Sequence, residues 1–398
     1  MKYAVWFLRL LFASWMIPAG INHFFPLFPQ PMGNAPLSMA LIIALLDSHL
    51  FDLVKAVELV AGVMVLFGWY TPLALLICLP VSFGVFYWDA PLEGWTSGAS
   101  RFGYAVILCN TLLCLAWLKS YQGMLTRKAE AGYSLKPVQV GRIILGVILV
   151  FFAANTLILG MWPAPSGTQP LADLLMTALT NSRLLHVALA FQLVAGLLIL
   201  SGFLVPLALY VQMCISVNAL YWALFLDHQL FGGLLTLVAF ALNGLLMLAY
   251  LPSYKGVLER HANGAGESDD DSGNYDALMV NWLGTTSRTV YCPAMATIIA
   301  VYAFYFWVGV NGTVQFSILV LLFPLLVLLA RRLRDMGRPP ALGFAPLLLL
   351  LAAFAVQYDY VSLGGIDTAV VWLALLVTAV LIGWGAATNG KTAAPASS

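Results

Sequence analysis

The chain has 398 residues, of which 62% are apolar and only 9% are charged, and its formal net charge is +1. Soluble domains carry about a quarter charged residues, so this composition excludes a water-soluble globular protein. Stretches of about 20 apolar residues, enough to cross a bilayer, recur along almost the whole chain. We therefore expect a polytopic membrane protein whose first partner is the lipid bilayer, and no nucleic-acid partner.

Residues 1–125 are predicted to form four spans, near 5–25, 50–68, 71–88 and 102–119. The N-terminal stretch has no clear cleavage site, so we expect it to be retained as the first span. A second set of four spans is expected within residues 140–260, near 140–160, 184–203, 205–224 and 231–251. The sequence repeats with the spans, since "ELVAGVMVLFG" at 58–68 returns as "QLVAGLLILSG" at 192–202 and Arg9 returns as Arg142. The pattern predicts two copies of a four-helix bundle, joined by a linker at 126–139.

The remaining third of the chain differs in composition. Residues 261–274 are rich in Gly, Ser and Asp and have little to bury, so they are predicted to be disordered. Residues 275–390 are predicted to form a third membrane module with spans near 291–310, 315–330, 342–357 and 367–385, followed by a flexible tail at 391–398. The expected fold is thus an all-α polytopic membrane protein of about twelve spans.

Lysine and arginine concentrate in alternate loops, which predicts that both termini lie in the cytoplasm. Four spans return the chain to the side on which it started. The two repeats are therefore expected to be parallel, related by an axis along the membrane normal.

The second predicted span carries three ionisable residues, Asp52, Lys55 and Glu58, spaced so that they fall on one stripe of a helix. Charged groups inside a membrane are costly and usually face a partner or a cavity. Lys55 is expected to pair with Glu58, and His23 at the end of the first span lies at a depth near Asp52. Two interpretations remain open: a self-neutralised structural cluster, or a proton or quinone site that uses all four residues.

The second repeat lacks these groups. At the positions that correspond to His23, Asp52, Lys55 and Glu58 it has Thr156, His186, Leu189 and Gln192. A glutamine can form hydrogen bonds across helices but cannot exchange protons. We therefore expect the first repeat to hold the ionisable site and the second to serve as scaffold.

Two further clusters have alternative interpretations. Tyr87 and Trp88, with their counterparts Tyr221 and Trp222, are either interfacial anchors or part of a quinone headgroup site. A charged group near the third module either controls topology and attracts anionic headgroups or forms an anion or partner docking site. Its members are Arg288, Arg331, Arg332, Arg334, Asp335 and Arg338. The five cysteines follow no metal-ligand spacing, so no metal site is predicted.

Each repeat resembles the DoxX family of four-helix bacterial membrane proteins. The residues that carry the likeness are Arg9, "AGINHF" at 19–24, "ELVAGVMVLFG" at 58–68 and "TPLAL" at 71–75. The last third resembles an inner-membrane family of the YhaH type through "GTTSRTVYCP" at 284–293, "ARRLRDMGRPPALGF" at 330–344 and "GAATNG" at 385–390. That family usually has a histidine at the position of Arg334.

The DoxX likeness implies a bacterial inner-membrane protein that is a subunit or accessory of a quinone-linked or other redox-associated system. Quinone would be its cofactor, and other membrane or periplasmic redox subunits its partners. Two alternatives come from different classes of protein. One is a transporter or channel that uses the interface between the repeats, and the other is a membrane assembly or scaffold factor.

Overall fold

The computed structural model describes residues 1–132, 135–163, 165–267, 274–308, 312–358 and 360–390. Within these ranges the regular structure is helical and no strand is present. The α-helices are α1 (Lys2–Phe24), α2 (Pro36–Asp47), α3 (Leu50–Phe67), α4 (Thr71–Tyr87), α5 (Gly98–Ala116), α6 (Leu118–Tyr121), α7 (Leu135–Ala154), α8 (Pro170–Asn181), α9 (Leu184–Ser201), α10 (Val205–Tyr221), α11 (Leu230–Ala249), α12 (Arg288–Val308), α13 (Gly312–Val320), α14 (Leu322–Asp335), α15 (Phe344–Gln357) and α16 (Asp367–Ala387). π-helical turns follow α4, α7 and α10 at Trp88–Leu92, Asn155–Leu159 and Trp222–Asp227.

Ten helical segments in the described part of the chain are long and apolar enough to cross a membrane. This confirms the expected class, an all-helical chain built for a lipid bilayer. The other two predicted spans correspond to α3 and α12, which are not among the ten. Helix α3 is 18 residues long and carries the three ionisable residues of the predicted stripe.

Two short helices were not expected from the sequence. Helices α2 and α8 have 12 residues each, about 18 Å, which is too short to span a bilayer. Each begins with a proline, Pro36 or Pro170, whose missing N–H costs little at a helix start. The two helices pack against each other. Their side chains Leu41, Ala44, Ala172, Leu175 and Ala178 form one buried cluster with Leu50 of α3 and Leu226 of the turn after α10.

The chain divides into two compact units. The first comprises Met1–Asn22, Gly62–Trp69 and Asn263–Ser398, and the second comprises His23–Ala61 and Tyr70–Ala262. In the second unit α4 packs on α5, while α9 packs on both α7 and α10. In the first unit α15 packs along α16, and α14 contacts α12, α13, α15 and α16. The candidate site on α3 lies in the second unit, and the arginine cluster of α14 lies in the first.

Helix bounds recur at a constant interval along the chain. Helices α8, α9 and α10 begin and end at one fixed sequence separation from α2, α3 and α4, so that Pro36 corresponds to Pro170 and Tyr87 to Tyr221. The π-helical turns that follow α4 and α10 begin at the same separation, at Trp88 and Trp222. Helices α2 and α8 and the π-helical turns at Trp88 and Trp222 were not predicted from the sequence, yet they recur at the same interval as the predicted spans.

Candidate functional site

The inner pair of the candidate site lies in the middle of α3. Lys55 Nζ donates a hydrogen bond to Glu58 Oε2 over 2.7 Å, and only 11% and 2% of the two side chains are exposed. The Lys55 ammonium also lies 4.9 Å from the centre of the Phe51 ring. The pairing expected from the sequence is therefore present. Because each residue is one helical turn from the other, the local fold of α3 alone suffices to form it.

The outer group is a three-residue cluster at the start of α3. His23 Nε2 lies 2.7 Å from Asp52 Oδ1, and His49 Nδ1 lies 3.1 Å from Asp52 Oδ2. One carboxylate therefore bridges two imidazoles. His49 was missed by sequence reasoning, although its spacing three residues before Asp52 could have indicated it.

Exposure falls along this cluster toward the interior. The exposed fraction of the side chain is 75% for His49, 45% for Asp52 and 14% for His23. The ring of His23 packs edge-on against Phe51 and Phe24, which shields one partner of the carboxylate. The cluster thus connects an accessible imidazole to a sheltered one through a single carboxylate, an arrangement suited to proton exchange.

The inner pair and the outer cluster share one stripe of α3. Asp52 and Glu58 are six residues apart, about 9 Å along the helix axis, and Lys55 lies one turn from each. No group of three or more His, Cys, Asp and Glu in the described ranges is arranged to hold a metal ion. The stripe thus combines an imidazole–carboxylate cluster with an ammonium–carboxylate pair.

The corresponding positions of the predicted second repeat are bonded differently. Gln192 Nε2 donates to the carbonyl oxygen of Leu149 over 3.3 Å, and Thr156 donates to the carbonyl of Phe152. Leu189 is buried, and His186 Nδ1 is shielded and has no hydrogen-bond partner among the described residues. The stripe of α9 therefore contains no ion pair in the described part of the chain.

The aromatic residues proposed for a quinone headgroup use their polar atoms elsewhere. The Tyr87 hydroxyl donates to the carbonyl of Ser182 over 2.7 Å, and Trp88 Nε1 donates to the carbonyl of Ser38 over 3.0 Å. Their counterparts repeat the pattern, because Tyr221 donates to Ser48 over 2.8 Å and Trp222 Nε1 donates to Ala172 over 3.1 Å. All four acceptors lie in or directly after α2 and α8. These polar groups hold the two short helices.

Two acidic residues that the sequence did not single out anchor the segments that lead into the same short helices. Glu93 accepts hydrogen bonds from the backbone of Asn34 and Ala35, over 2.8 Å and 3.1 Å, and from the hydroxyl of Ser38. Burial raises the pKa of Glu93, but these hydrogen bonds lower the pKa by more, to below its ordinary value of 4.5. Asp227, at the corresponding position of the predicted second repeat, accepts from the backbone and hydroxyl of Thr168 over 2.6 Å and 2.8 Å.

The two buried arginines of the cluster are bonded to other parts of the protein itself. Arg331 donates to the carbonyls of Asn281, Leu283 and Thr285 and to the Thr286 hydroxyl. Arg332 donates to the carbonyls of Thr286, Gly385 and Thr388 and pairs with Asp335. Both guanidinium groups therefore hold distant parts of the chain together.

The other three arginines of the cluster are more accessible. Arg288 and Arg338 are exposed, and Arg338 lies over the Trp384 ring at 5.5 Å. Arg334 is half-buried and donates to the carbonyls of Trp282 and Gly284. Among the arginines of the predicted docking site, those accessible to an external anion are therefore Arg288, Arg334 and Arg338.

A further buried arginine was not predicted to have partners. Arg9 Nη1 lies 3.2 Å from Glu267, Arg9 Nη2 lies 3.2 Å from Asp276, and the guanidinium covers the Tyr275 ring at 3.6 Å. Glu267 belongs to the segment 261–274 that was predicted to be disordered, and residues 268–273 of that segment lie outside the described residues. The two acids are 258 and 267 residues from Arg9 along the chain, so helical spacing could not reveal these contacts.

Comparisons with models of known protein families, with curated proteins and with solved structures find no match for the chain.

Proposed function

We propose that the chain is a proton-exchanging subunit or accessory of a quinone-linked or other redox-associated system in the bacterial inner membrane. The observation that carries this proposal is the presence of two ionisable groups on α3, one accessible and one buried. When a buried carboxylate takes up a proton, the lysine paired with it loses its counter-charge. Proton uptake by the carboxylate is therefore coupled to the state of the lysine. The two imidazoles that flank the half-exposed Asp52 carboxylate can supply that proton.

Lys55 lies between the two carboxylates that would exchange protons. It lies one helical turn from Asp52 and one turn from Glu58, so its ammonium can alternate between the two carboxylates without a backbone movement. Lys55 is bonded to Glu58, while Asp52 is bonded to the two imidazoles. A proton that reaches Glu58 would release Lys55, which would then turn toward the Asp52 carboxylate. The second repeat supports this assignment, because Gln192 and Leu189 can perform neither step.

The proposed architecture is two parallel DoxX-like repeats and a YhaH-type module, about twelve spans in total, with both termini in the cytoplasm. Reciprocal contacts support the repeats. The backbone N–H of Tyr70 donates to the carbonyl of Arg260, and that of Leu204, the counterpart of Tyr70, donates to the carbonyl of Arg127. In each repeat, the residue before the third span thus bonds to the segment at the C-terminal end of the other repeat. Such an exchange is expected for two copies related by an approximate twofold axis.

The three stretches that resemble the YhaH type also support the third module. The buried Arg331 and Arg332, in the stretch 330–344, bind carbonyls in 284–293 and in 385–390. Stretches that are far apart in sequence therefore meet around two side chains. Quinone and the redox partners enter the proposal through the DoxX likeness alone.

The test is proton flux in liposomes that contain the full chain, measured with an enclosed pH dye after a pH jump in the presence of valinomycin. We expect Glu58→Gln to reduce the flux to that of empty liposomes and the matched control Gln192→Ala to leave it unchanged. The double variant Lys55→Met with Glu58→Leu removes the buried charges together and should fold but conduct no protons. A reduced quinone analogue should change the wild-type flux if the system is quinone-linked.

Three outcomes would contradict the proposal. Equal losses in Glu58→Gln and Gln192→Ala would remove the asymmetry between the repeats. A wild-type flux in the double variant would make the ion pair structural. A flux that follows an added solute rather than a quinone analogue would favour the transporter alternative.

A further inference from the structure

Two arginines at matching positions of the repeats have different surroundings. Arg9 of α1 is 2% exposed, and its partners are the carboxylates of Glu267 and Asp276, the carbonyl of Val65 and the face of Tyr275. Its counterpart Arg142 is half-buried in α7 and takes part in no ion pair or hydrogen bond within the described residues. The Nε atoms of both arginines are shielded from solvent and unpartnered in the described part of the chain, so the two sites differ in the partners of their Nη atoms. One guanidinium is therefore neutralised by two acids, and the other by none in the described part of the chain.

A glycine beside each arginine shows how the two sites differ. Gly68 and Gly202 follow the ends of α3 and α9 in left-handed conformations, with φ of 72° and 77°. In the first repeat the carboxylate of Asp276 occupies the space where a Cβ at Gly68 would point. In the second repeat the Arg142 guanidinium lies at the same place, with Nη1 2.8 Å from the position of a Cβ at Gly202. The second repeat thus keeps the arginine and the glycine but supplies no acid among the described residues.

A half-buried cation with no counter-charge among the described residues is not neutralised by the protein, so an anion bound at Arg142 would stabilise the structure. The surroundings select the kind of anion. Val140, Ile143 and Ile144, on the same helix, are 56%, 51% and 49% exposed, as expected of side chains that face lipid. Arg142 lies seven residues, about 10 Å, from the start of α7, where Lys136 is exposed. This depth suits a headgroup attached to acyl chains.

We propose that Arg142 and Gly202 form a binding site for the phosphate of an anionic phospholipid. The guanidinium can donate two parallel hydrogen bonds to phosphate oxygens, as it does to carboxylates. The apolar side chains of α7 lie beside the acyl chains, and the absence of a Cβ at Gly202 leaves room for the guanidinium. Arg9 cannot take a lipid in this way, because the chain's own acids already fill its site.

The experiment is native mass spectrometry of the full chain, released from detergent that contains equal amounts of phosphatidylglycerol and phosphatidylcholine. We expect the wild type to retain one phosphatidylglycerol with at least a tenfold preference over phosphatidylcholine. Arg142→Gln should lose this preference, and the matched control Lys136→Gln, which removes an exposed cation of the same helix, should keep it. A parallel thermal-unfolding series should show stabilisation by phosphatidylglycerol in the wild type and in Lys136→Gln only.

Equal retention of phosphatidylglycerol by the wild type and Arg142→Gln would overturn the proposal. So would stabilisation by glycerol 3-phosphate equal to that by the lipid, because it would identify a site for free phosphate. If a peptide of residues 264–276 stabilised the protein against thermal unfolding and lipid did not, the partner of Arg142 would be an acidic protein segment instead. If Arg142→Gln does not fold, two other results are required. The wild type must bind a single phosphatidylglycerol saturably, and Arg142→Lys must weaken that binding. Failure of either result overturns the proposal.

Discussion

The hydroxyl of Tyr87 donates a 2.7 Å hydrogen bond to the carbonyl oxygen of Ser182, the residue that follows the last residue of α8. Tyr221 makes the corresponding bond to Ser48, which follows α2, over 2.8 Å. The last carbonyls of a helix have no partner within the helix, so these two hydroxyls satisfy groups that would otherwise remain unpaired. Each tyrosine comes from one predicted repeat and each acceptor from the other.

Replacing Tyr87 with phenylalanine should therefore weaken the contact between the predicted repeats. We expect a loss of about 1 kcal/mol in the free energy of unfolding for Tyr87→Phe, the same for Tyr221→Phe, and roughly the sum for the double variant. Thermal or denaturant unfolding in detergent would measure these losses. Tyr70→Phe is the control, because Tyr70 is exposed and its hydroxyl makes no hydrogen bond among the described residues. A loss in Tyr70→Phe equal to that in Tyr87→Phe would show that the effect does not come from the bond to Ser182.

The hydrogen bonds of Glu93 should make stability depend on pH. Although burial acts to raise the pKa of Glu93, hydrogen bonds from Ser38, Ala35 and Asn34 hold it below its ordinary value of 4.5. Because the folded-state pKa is the lower one, ionised Glu93 stabilises the fold above about pH 4.5, and this contribution disappears as the pH falls through the folded-state pKa. Glu93→Gln should thus be less stable than the wild type at neutral pH, and the difference should shrink below about pH 4.5.

The measurement is the unfolding midpoint of both proteins across this pH range. Glu130→Gln, which removes an exposed carboxylate without a hydrogen bond in the described structure, is the matched control and should show no such change. A difference between the wild type and Glu93→Gln that stays constant down to acid pH would mean that the hydrogen bonds do not depend on the charge of Glu93.

The sequence predicted the long helices because bilayer thickness fixes their length, and their apolar composition is evident without a structure. It also predicted the Lys55–Glu58 pair, since partners one turn apart in a helix are neighbours by geometry. Helices α2 and α8 escaped prediction because 12 residues are too few to span a bilayer, and periodicity does not distinguish a short buried helix from a strand.

The contacts that escaped prediction are those made between distant parts of the chain. Nothing in the sequence indicates that Glu267 lies beside Arg9, or that Arg331 binds the backbone of Asn281. Backbone carbonyls are present at every residue, so their partners leave no compositional signal. Glu93 and Asp227 could have been found, because both occur at the same place of the predicted repeats.

Breaking the buried ion pair should cost more than removing it. Glu58→Gln leaves the Lys55 ammonium without a counter-charge in an apolar site, and we expect a loss of roughly 3 to 5 kcal/mol in unfolding free energy. The double variant Lys55→Met with Glu58→Leu replaces both charges by apolar groups of similar volume and should unfold within about 1 kcal/mol of the wild type. Unfolding of the wild type, Lys55→Met, Glu58→Leu and the double variant would give the coupling energy between the two residues. A coupling near zero would mean that the pair between Lys55 and Glu58 is not maintained in the membrane.

Arg331 should control the opening of the segment 281–286. Its guanidinium binds the carbonyls of Asn281 and Thr285 over 3.2 Å and 3.0 Å and the hydroxyl of Thr286 over 3.0 Å, and only 3% of the residue is exposed. Hydrogen bonds to a charged donor contribute about 1.5 to 3 kcal/mol each, and about 1.4 kcal/mol is a factor of ten in an equilibrium constant. In Arg331→Met we therefore expect the amides of residues 281–287 to exchange with deuterium at least tenfold faster, while the amides of α11 are unaffected.

The control for this prediction is Arg338→Met, which removes an exposed guanidinium from the loop that follows α14. Its positive charge is lost in the same way, but Arg338 makes no hydrogen bond to the segment 281–286 in the described structure. We therefore expect exchange in that segment to stay at the wild-type rate. If both variants accelerate exchange equally, the loss of positive charge rather than the bonds of Arg331 governs the segment; if neither does, the segment is held by other contacts.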